Sequence, residues 1–141
     1  ADELCGFQLL CHVDTNPHPD RTVYAGLVYL FDDQDLGGTG FYRWIDPDLQ
    51  QKATALEDAN PGSGLEFLRA RFPTLATPAA YLTGSNEVVE NLCTIPARFN
   101  RFIFYSGRVP HSAAIAVPQK LSADPSNGRL TLNVFASVVP R

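Results

Sequence analysis

The sequence contains no methionine, one tryptophan and three histidines among its 141 residues. It also lacks any run of roughly 18 successive apolar residues, the length that a membrane-spanning helix requires. No secretory signal pattern is visible at its start. These absences argue against a membrane protein. Because the initiator methionine is missing, we expect a processed or trimmed chain without some N-terminal elements.

Basic clusters and paired cysteines are lacking too. The formal net charge is −4 and the basic residues are scattered, which argues against a nucleic-acid partner. The three cysteines, Cys5, Cys11 and Cys93, are odd in number and form no CxxC motif. We therefore predict free thiols in a reducing compartment, and a cytoplasmic protein.

Apolar segments of strand length recur along the chain. They are rich in Val, Leu, Phe and Tyr, and turn-forming residues separate close neighbours. Strands are predicted over residues 3–14, 22–31, 39–44, 101–107, 109–117 and 129–139. We predict a single all-β domain over residues 1–141, either a sandwich or a jelly-roll barrel. The pattern alone does not choose between a jelly roll and an immunoglobulin-type sandwich.

An insertion over residues 45–96 interrupts the strand pattern. Residues 46–64 are polar and predicted to form a loop, whereas residues 64–72 predict one helix with Leu65, Leu68 and Phe72 on one face. Residues 86–97 are ambiguous. The insertion is expected to be a substrate lid or an external decoration, and Trp44 at its start is expected to be a packing anchor.

Two His-x-Asp triplets near the start offer possible metal ligands. His12 and Asp14 end a predicted strand, where residues i and i+2 project to the same face and converge on one ion. His18 and Asp20 are separated by Pro19, which favours a solvent-facing loop. The geometry therefore favours the first triplet, although an isolated triplet of this kind also arises by chance.

A third ligand must come from elsewhere in the chain. His111 follows an apolar strand and a glycine-containing turn. Two histidines and one carboxylate form the facial triad of non-haem iron(II) oxygenases, which leaves coordination positions open. Taken alone, His111 is better explained as a core or loop histidine that bonds a backbone carbonyl.

The last predicted strand carries an arginine among apolar residues. Arg129 and Thr131 share one face of the strand, and Leu130 and Leu132 share the other. A buried guanidinium without a partner is very unfavourable, and a ligand carboxylate would satisfy it with two hydrogen bonds. A solvated polar face on an antiparallel strand is the open alternative.

The order of these elements resembles that of a known family. The segments HVD, RTVYAGLVYL, GGTGFYR, NRFIFYSGRVPHSA and GRLTLNVF, spread over residues 12–135, resemble the iron(II)- and 2-oxoglutarate-dependent oxygenases. The closest likeness is to the prolyl-4-hydroxylase-like branch and its uncharacterised bacterial-type relatives. The resemblance implies a double-stranded β-helix, a jelly-roll barrel. It also implies Fe(II), 2-oxoglutarate and O2, and hydroxylation of an unactivated C–H bond with succinate and CO2 as co-products.

The resemblance also implies roles for individual residues. His12, Asp14 and His111 would bind the iron, and Arg129 would bind the distal carboxylate of 2-oxoglutarate with help from Thr131. The glycines and threonine of the segment at residues 37–39 match a structural turn. Because the iron-binding carboxylate is present, hydroxylation is favoured over halogenation.

Some positions depart from the family pattern. The branch usually places a lysine about ten positions after the distal histidine, and Lys120 lies nearest to that position. Arg129 is preferred because the strand that follows it resembles the family's last strand. Tyr24 or Tyr29 could add a hydroxyl to the cosubstrate pocket, with a packing role at least as plausible. Family members have eight core strands and helices before the first triplet, so elements of this fold are expected to be missing.

Two rival functions remain open at this point. One is a cupin-like metal protein that does not use 2-oxoglutarate, and the other is a non-catalytic β-sandwich binding module. The substrate, a small molecule or a peptide, is not identified by the sequence.

Overall fold

In the computed structural model, residues 10–14, 20–76 and 80–139 are described. Within them the strands are β1 (Thr22–Tyr29), β2 (Gly38–Trp44), β3 (Val89–Ile95), β4 (Phe102–Ser106), β5 (His111–Ala114) and β6 (Thr131–Val138), and the helices are α1 (Pro47–Ala59) and α2 (Ser63–Arg71). Five of the predicted strands are confirmed. The strand predicted over 3–14 lies largely outside the described residues, and its visible part forms an isolated bridge to β5 at His12.

The strands form two antiparallel three-stranded sheets. One has the order β4-β1-β6 and the other β3-β2-β5, and residues 10–14 lie beside β5 through the His12 bridge. Side chains join the two sheets in the interior: the Tyr29 hydroxyl lies 2.6 Å from Oγ1 of Thr39, and the rings of Phe41 and Tyr105 meet edge to face at 4.9 Å. The predicted all-β class is confirmed in part, because the fold is mostly β and also contains two helices.

The prediction of a loop over residues 46–64 is wrong, because most of this segment forms α1. The carboxylate of Asp46 accepts hydrogen bonds from the backbone N–H groups of Asp48 and Leu49, at 2.9 and 3.2 Å. Pro47 occupies the first helical turn, where its missing N–H costs nothing. This cap was visible in the sequence, but the Asp-Pro pair also suits a turn. Since residues 89–95 form β3, the insertion is shorter than predicted and ends before Val89.

Both helices pack on the outer face of the β3-β2-β5 sheet. Leu49 and Ala53 of α1 and Leu68 of α2 are buried in one cluster with Tyr42 and Trp44. Trp44 is 6% exposed, so its predicted role as a packing anchor is confirmed. The helices therefore fix the outer side of the sheet whose inner side carries His111.

The outer face of the other sheet is apolar and open. Phe102, Phe104, Leu132 and Val134 are each more than half exposed. Gly26 lies between them on β1, and a Cβ at this position would come within 2.7 Å of Val134. Strand alternation therefore sends these apolar side chains outward. On the other face of β6, Thr131 is half-buried, whereas the residues that follow it on this strand are exposed.

Two further predictions bear on the environment of the chain. Cys11 is buried, Cys93 is exposed, and neither is in a disulfide; Cys5 lies outside the described residues. Among the helices described, none has the length and apolar character needed to cross a membrane.

Candidate metal centre

Three of the predicted ligands meet at one place. His12, Asp14 and His111 offer ligand atoms that all lie within 4.8 Å of one another. The backbones of His12 and His111 exchange two hydrogen bonds of 2.9 Å, and the N–H of Asp14 donates to the carbonyl of Gly107 at 2.8 Å. The cluster is thus positioned by main-chain pairing rather than by flexible side chains.

The side-chain hydrogen bonds leave the ligand atoms free. Nδ1 of His111 lies 2.8 Å from the carbonyl of Val109, which fixes the proton on Nδ1 and leaves Nε2 as the donor of a lone pair. That Nε2 lies 3.7 Å from Oδ2 of Asp14. Nδ1 of His12 and Oδ2 of Asp14 are buried, and no described group hydrogen-bonds to them. Buried polar atoms are normally paired, so this donor set fits a cation.

Burial also shapes the protonation of the cluster. Desolvation lowers the pKa of His12, the neighbouring His111 lowers it further, and the carboxylate of Asp14 opposes them. The neutral imidazole is the form that binds metal. The environment therefore favours the metal-binding form of His12.

The second predicted anchor, Arg129, also lies in the interior. Its Nη2 donates to the carbonyl of Gly38 at 3.1 Å, and its guanidinium lies 5.7 Å from the ring of Phe31. Its Nε is buried without a described hydrogen-bond partner. Burial lowers the pKa of Arg129 while nearby tyrosines raise it; an arginine remains charged in either case. The site therefore holds a half-buried cation whose Nε is buried and without a described hydrogen-bond partner.

Lys120, the alternative anchor, lies elsewhere. Its Nζ pairs with the carboxylates of Asp33 and Asp35, at 3.0 and 2.6 Å, and its side chain is 46% exposed. The lysine joins two surface turns. The placement favours Arg129 as the interior cation.

The two candidate tyrosines are on opposite faces of β1. Tyr29 is fully buried, bonds Thr39 and stands directly opposite Thr131 in the β1–β6 register. Tyr24 stacks on Phe104 at 5.4 Å, on the outer face. Because residues 24 and 29 differ by an odd number, strand alternation places only Tyr29 in the interior.

Tyr105 is a further residue beside the metal cluster, and no sequence pattern predicted it. Its ring lies 4.8 Å from that of His111. Burial, with a smaller contribution from the Asp14 carboxylate, raises the pKa of its hydroxyl to about 12, so the hydroxyl stays protonated. Its alternation with the exposed Phe104 could have placed it inward. Tyr105 also lines an open cleft with Phe41 and Ile103.

The glycine turn at Gly37 and the second His-x-Asp triplet lie outside the metal cluster. Gly37 has φ 71°, and a side chain there would overlap the backbone of Ala114, which supports its reading as a structural turn. His18 lies outside the described residues, and Asp20 is exposed. The described part of the second triplet therefore takes no part in the metal cluster.

Fold and cluster together define a mostly β protein with an interior His-His-Asp group suited to a metal ion. A family profile matches residues 1–136, and the chain belongs to that family, DUF6445, a family of unknown function. No curated protein and no solved structure matches the chain.

Proposed function

We propose that this chain is an iron(II)- and 2-oxoglutarate-dependent oxygenase that hydroxylates a small molecule or a peptide. The observation that carries the proposal is the pairing of two unsatisfied interior groups. A His-His-Asp cluster leaves ligand atoms unbonded, and Arg129 leaves a buried N–H without a described partner. A dianion that bridges a metal and an arginine would satisfy both.

The strand order supports a jelly roll for this chain. With residues 10–14 beside β5, one sheet has the order β3-β2-β5-(10–14), and it faces β4-β1-β6. Double-sheet jelly rolls place eight strands in two facing sheets, and the described residues supply six strands and the bridged segment 10–14. We infer the double-stranded β-helix from that order.

Iron is the metal that this donor set suits best. Two imidazoles and one carboxylate form the facial triad, which has room for a chelating cosubstrate and O2 when iron is bound. When bound, iron(II) and 2-oxoglutarate supply oxidation of a C–H bond by O2, with succinate and CO2 as co-products.

The protein's own residues orient and shield the reactants in this proposal. Arg129 would donate two hydrogen bonds to the distal carboxylate, and Thr131 and Tyr29, which face each other across β1 and β6, would place hydroxyls beside it. Tyr105 is protonated and packs on His111. Its hydroxyl would donate a hydrogen bond to 2-oxoglutarate, and its ring would exclude water from the metal.

A metal protein without 2-oxoglutarate is the second candidate. It is favoured by the contacts that Arg129 already makes with Gly38 and Phe31, which give the arginine a structural role. In that case, replacement of Arg129 would lower the stability of the protein, and neither the parent chain nor the variant would bind 2-oxoglutarate.

An anaerobic absorbance titration tests the proposal. Iron(II) and 2-oxoglutarate added to the folded chain should produce a weak visible charge-transfer band, because the cosubstrate chelates iron. The band should be lost in Arg129→Ala and kept in Lys120→Ala. No band on folded, iron-loaded protein would contradict the proposal, and a band that survives in Arg129→Ala would remove the assigned anchor.

A further inference from the structure

Two buried hydroxyl groups bond each other in the interior between the sheets. The Tyr29 hydroxyl lies 2.6 Å from Oγ1 of Thr39, and the two residues are 0% and 4% exposed. Among the described residues, neither hydroxyl has a second hydrogen-bond partner. The pair is therefore buried and joined by a single hydrogen bond.

The number of protons on this pair exceeds the number of its hydrogen bonds. Each hydroxyl carries one proton and two lone pairs, so a single bond between them uses only one of the two protons. If Tyr29 donates, the Thr39 proton has no described acceptor; if Thr39 donates, the Tyr29 proton has none. Because a buried donor without an acceptor is costly, an acceptor beside one of the two hydroxyls would stabilise the pair.

Arg129 lies in the same part of the interior and also has an unused donor. Its Nη2 donates to the carbonyl of Gly38, the residue before Thr39. The ring of Phe31 lies 5.7 Å from its guanidinium and meets the Tyr29 ring edge to face at 5.8 Å. The Nε of Arg129 is buried without a described hydrogen-bond partner. One N–H and one hydroxyl proton therefore share this region, both without an acceptor.

A carboxylate is the ligand group that would accept from both donors. When ionised it has acceptor sites only, and its hydrogen bonds are charge-assisted. Burial raises the pKa of Tyr29, so the phenol keeps its proton. The phenol is also the more acidic of the two hydroxyls and thus the stronger donor to an anion. The favoured arrangement is a chain in which Thr39 donates to Tyr29 and Tyr29 donates to the carboxylate, because bonds in such a chain strengthen one another.

We propose that Thr39 is a positioning residue for the cosubstrate: it donates its hydroxyl proton to Tyr29 and thereby directs the Tyr29 O–H toward the carboxylate that Arg129 holds. This inference rests on the function proposed above, because the carboxylate is the distal one of 2-oxoglutarate. Thr39 acts only through the Tyr29 hydroxyl. It thus has a role beyond the structural turn that the resemblance implies for residues 37–39.

Calorimetric titration of 2-oxoglutarate into the Mn2+-loaded chain tests this role. Thr39→Val keeps the shape of the side chain and removes its hydroxyl, so the affinity should fall roughly threefold as the supporting hydrogen bond is lost. Thr39→Ser restores a hydroxyl and should bind like the parent chain. Thr94→Val, at an exposed position of β3, is the matched control and should also bind like the parent chain.

The same substitution in a Tyr29→Phe variant separates positioning from a merely structural role. Tyr29→Phe alone should weaken 2-oxoglutarate binding roughly tenfold, because a charge-assisted hydrogen bond is lost. Adding Thr39→Val should then cause no further loss, since the hydroxyl through which Thr39 acts is gone.

Three results would overturn the inference and leave the proposed function intact. They are an unchanged affinity in Thr39→Val, an equal loss from Thr39→Val with and without the Tyr29 hydroxyl, and a failure of Thr39→Ser to restore binding. No binding of 2-oxoglutarate by the Mn2+-loaded parent chain would overturn the proposed function and this inference together.

Discussion

The proposed 2-oxoglutarate site has two ends, the metal cluster and Arg129, and they are held in place differently. At the metal end, three side chains converge because the backbones of His12 and His111 exchange two hydrogen bonds of 2.9 Å. At the other end, a single side chain, Arg129, reaches the carbonyl of Gly38 from the residues before β6. The metal end is fixed by main-chain pairing and has several ligands, whereas the arginine end depends on one residue. We expect their variants to separate metal binding from cosubstrate binding.

The largest effect is expected at the metal end. His111→Ala removes a ligand and should weaken metal binding by more than about 100-fold, since changes in the groups that merely orient metal ligands already cost roughly 10–100-fold. Titration with Fe(II) or Mn2+ measures it. His18→Ala is the control and should bind metal normally. Undiminished binding in His111→Ala would exclude this histidine as a ligand, and no metal binding by the parent chain, with His12→Ala unchanged, would favour a non-catalytic binding module.

The next effect belongs to the arginine end. Arg129→Ala should keep metal affinity but weaken 2-oxoglutarate binding to the metal-loaded protein roughly 100-fold, because two charge-assisted hydrogen bonds are lost. Calorimetry measures both affinities in one preparation. Lys120→Ala, which removes a surface cation paired with Asp33 and Asp35, should change neither. A larger cosubstrate loss in Lys120→Ala than in Arg129→Ala would reverse the assignment.

The ring of Tyr105 lies 4.8 Å from that of His111, and its hydroxyl should affect 2-oxoglutarate binding without changing metal binding. Tyr105→Phe keeps the ring on His111 and removes only the hydroxyl, so metal affinity should hold while 2-oxoglutarate affinity falls roughly threefold to tenfold. Tyr24→Phe, on the outer face of β1, is the matched control. If the two variants behave alike, the Tyr105 hydroxyl does not reach the cosubstrate.

The smallest effect is expected at the cap of α1, and it should change neither metal binding nor 2-oxoglutarate binding. Asp46→Ala removes the cap of α1 and should lower the free energy of unfolding by about 1 kcal/mol, measured by urea denaturation. Metal and cosubstrate affinities of the folded protein should not change, because α1 packs on the outer side of the sheet. A loss of metal binding in this variant would show that the helix supports the metal cluster directly.

Local patterns predicted much of this molecule. The spacing of His12 and Asp14 indicated two of the three residues that the structure brings together, and the order of segments that resembles the oxygenases added His111. The order of apolar segments predicted β1, β2 and β4 to β6. These features depend on side-chain alternation within one strand, which a single sequence displays.

Other features depend on contacts between distant segments. The partners of Lys120 lie in a turn more than eighty residues away, and the sequence around Lys120 does not predict them. Tyr105 gains its position from β4 facing β2 across the interior. Helix α1 was missed for a local reason, because the Asp46 cap and Pro47 suit a turn as well as a helix start.

The central claim is that one dianion connects the two ends of the pocket. Calorimetric titration of 2-oxoglutarate into the parent chain, with and without Mn2+ as an inert substitute for iron, tests this most directly. We predict clear binding with Mn2+ and binding at least about tenfold weaker without it, because metal chelation and the Arg129 hydrogen bonds then no longer act together. Equal affinity in the two titrations, or none in either despite bound Mn2+, would contradict the account.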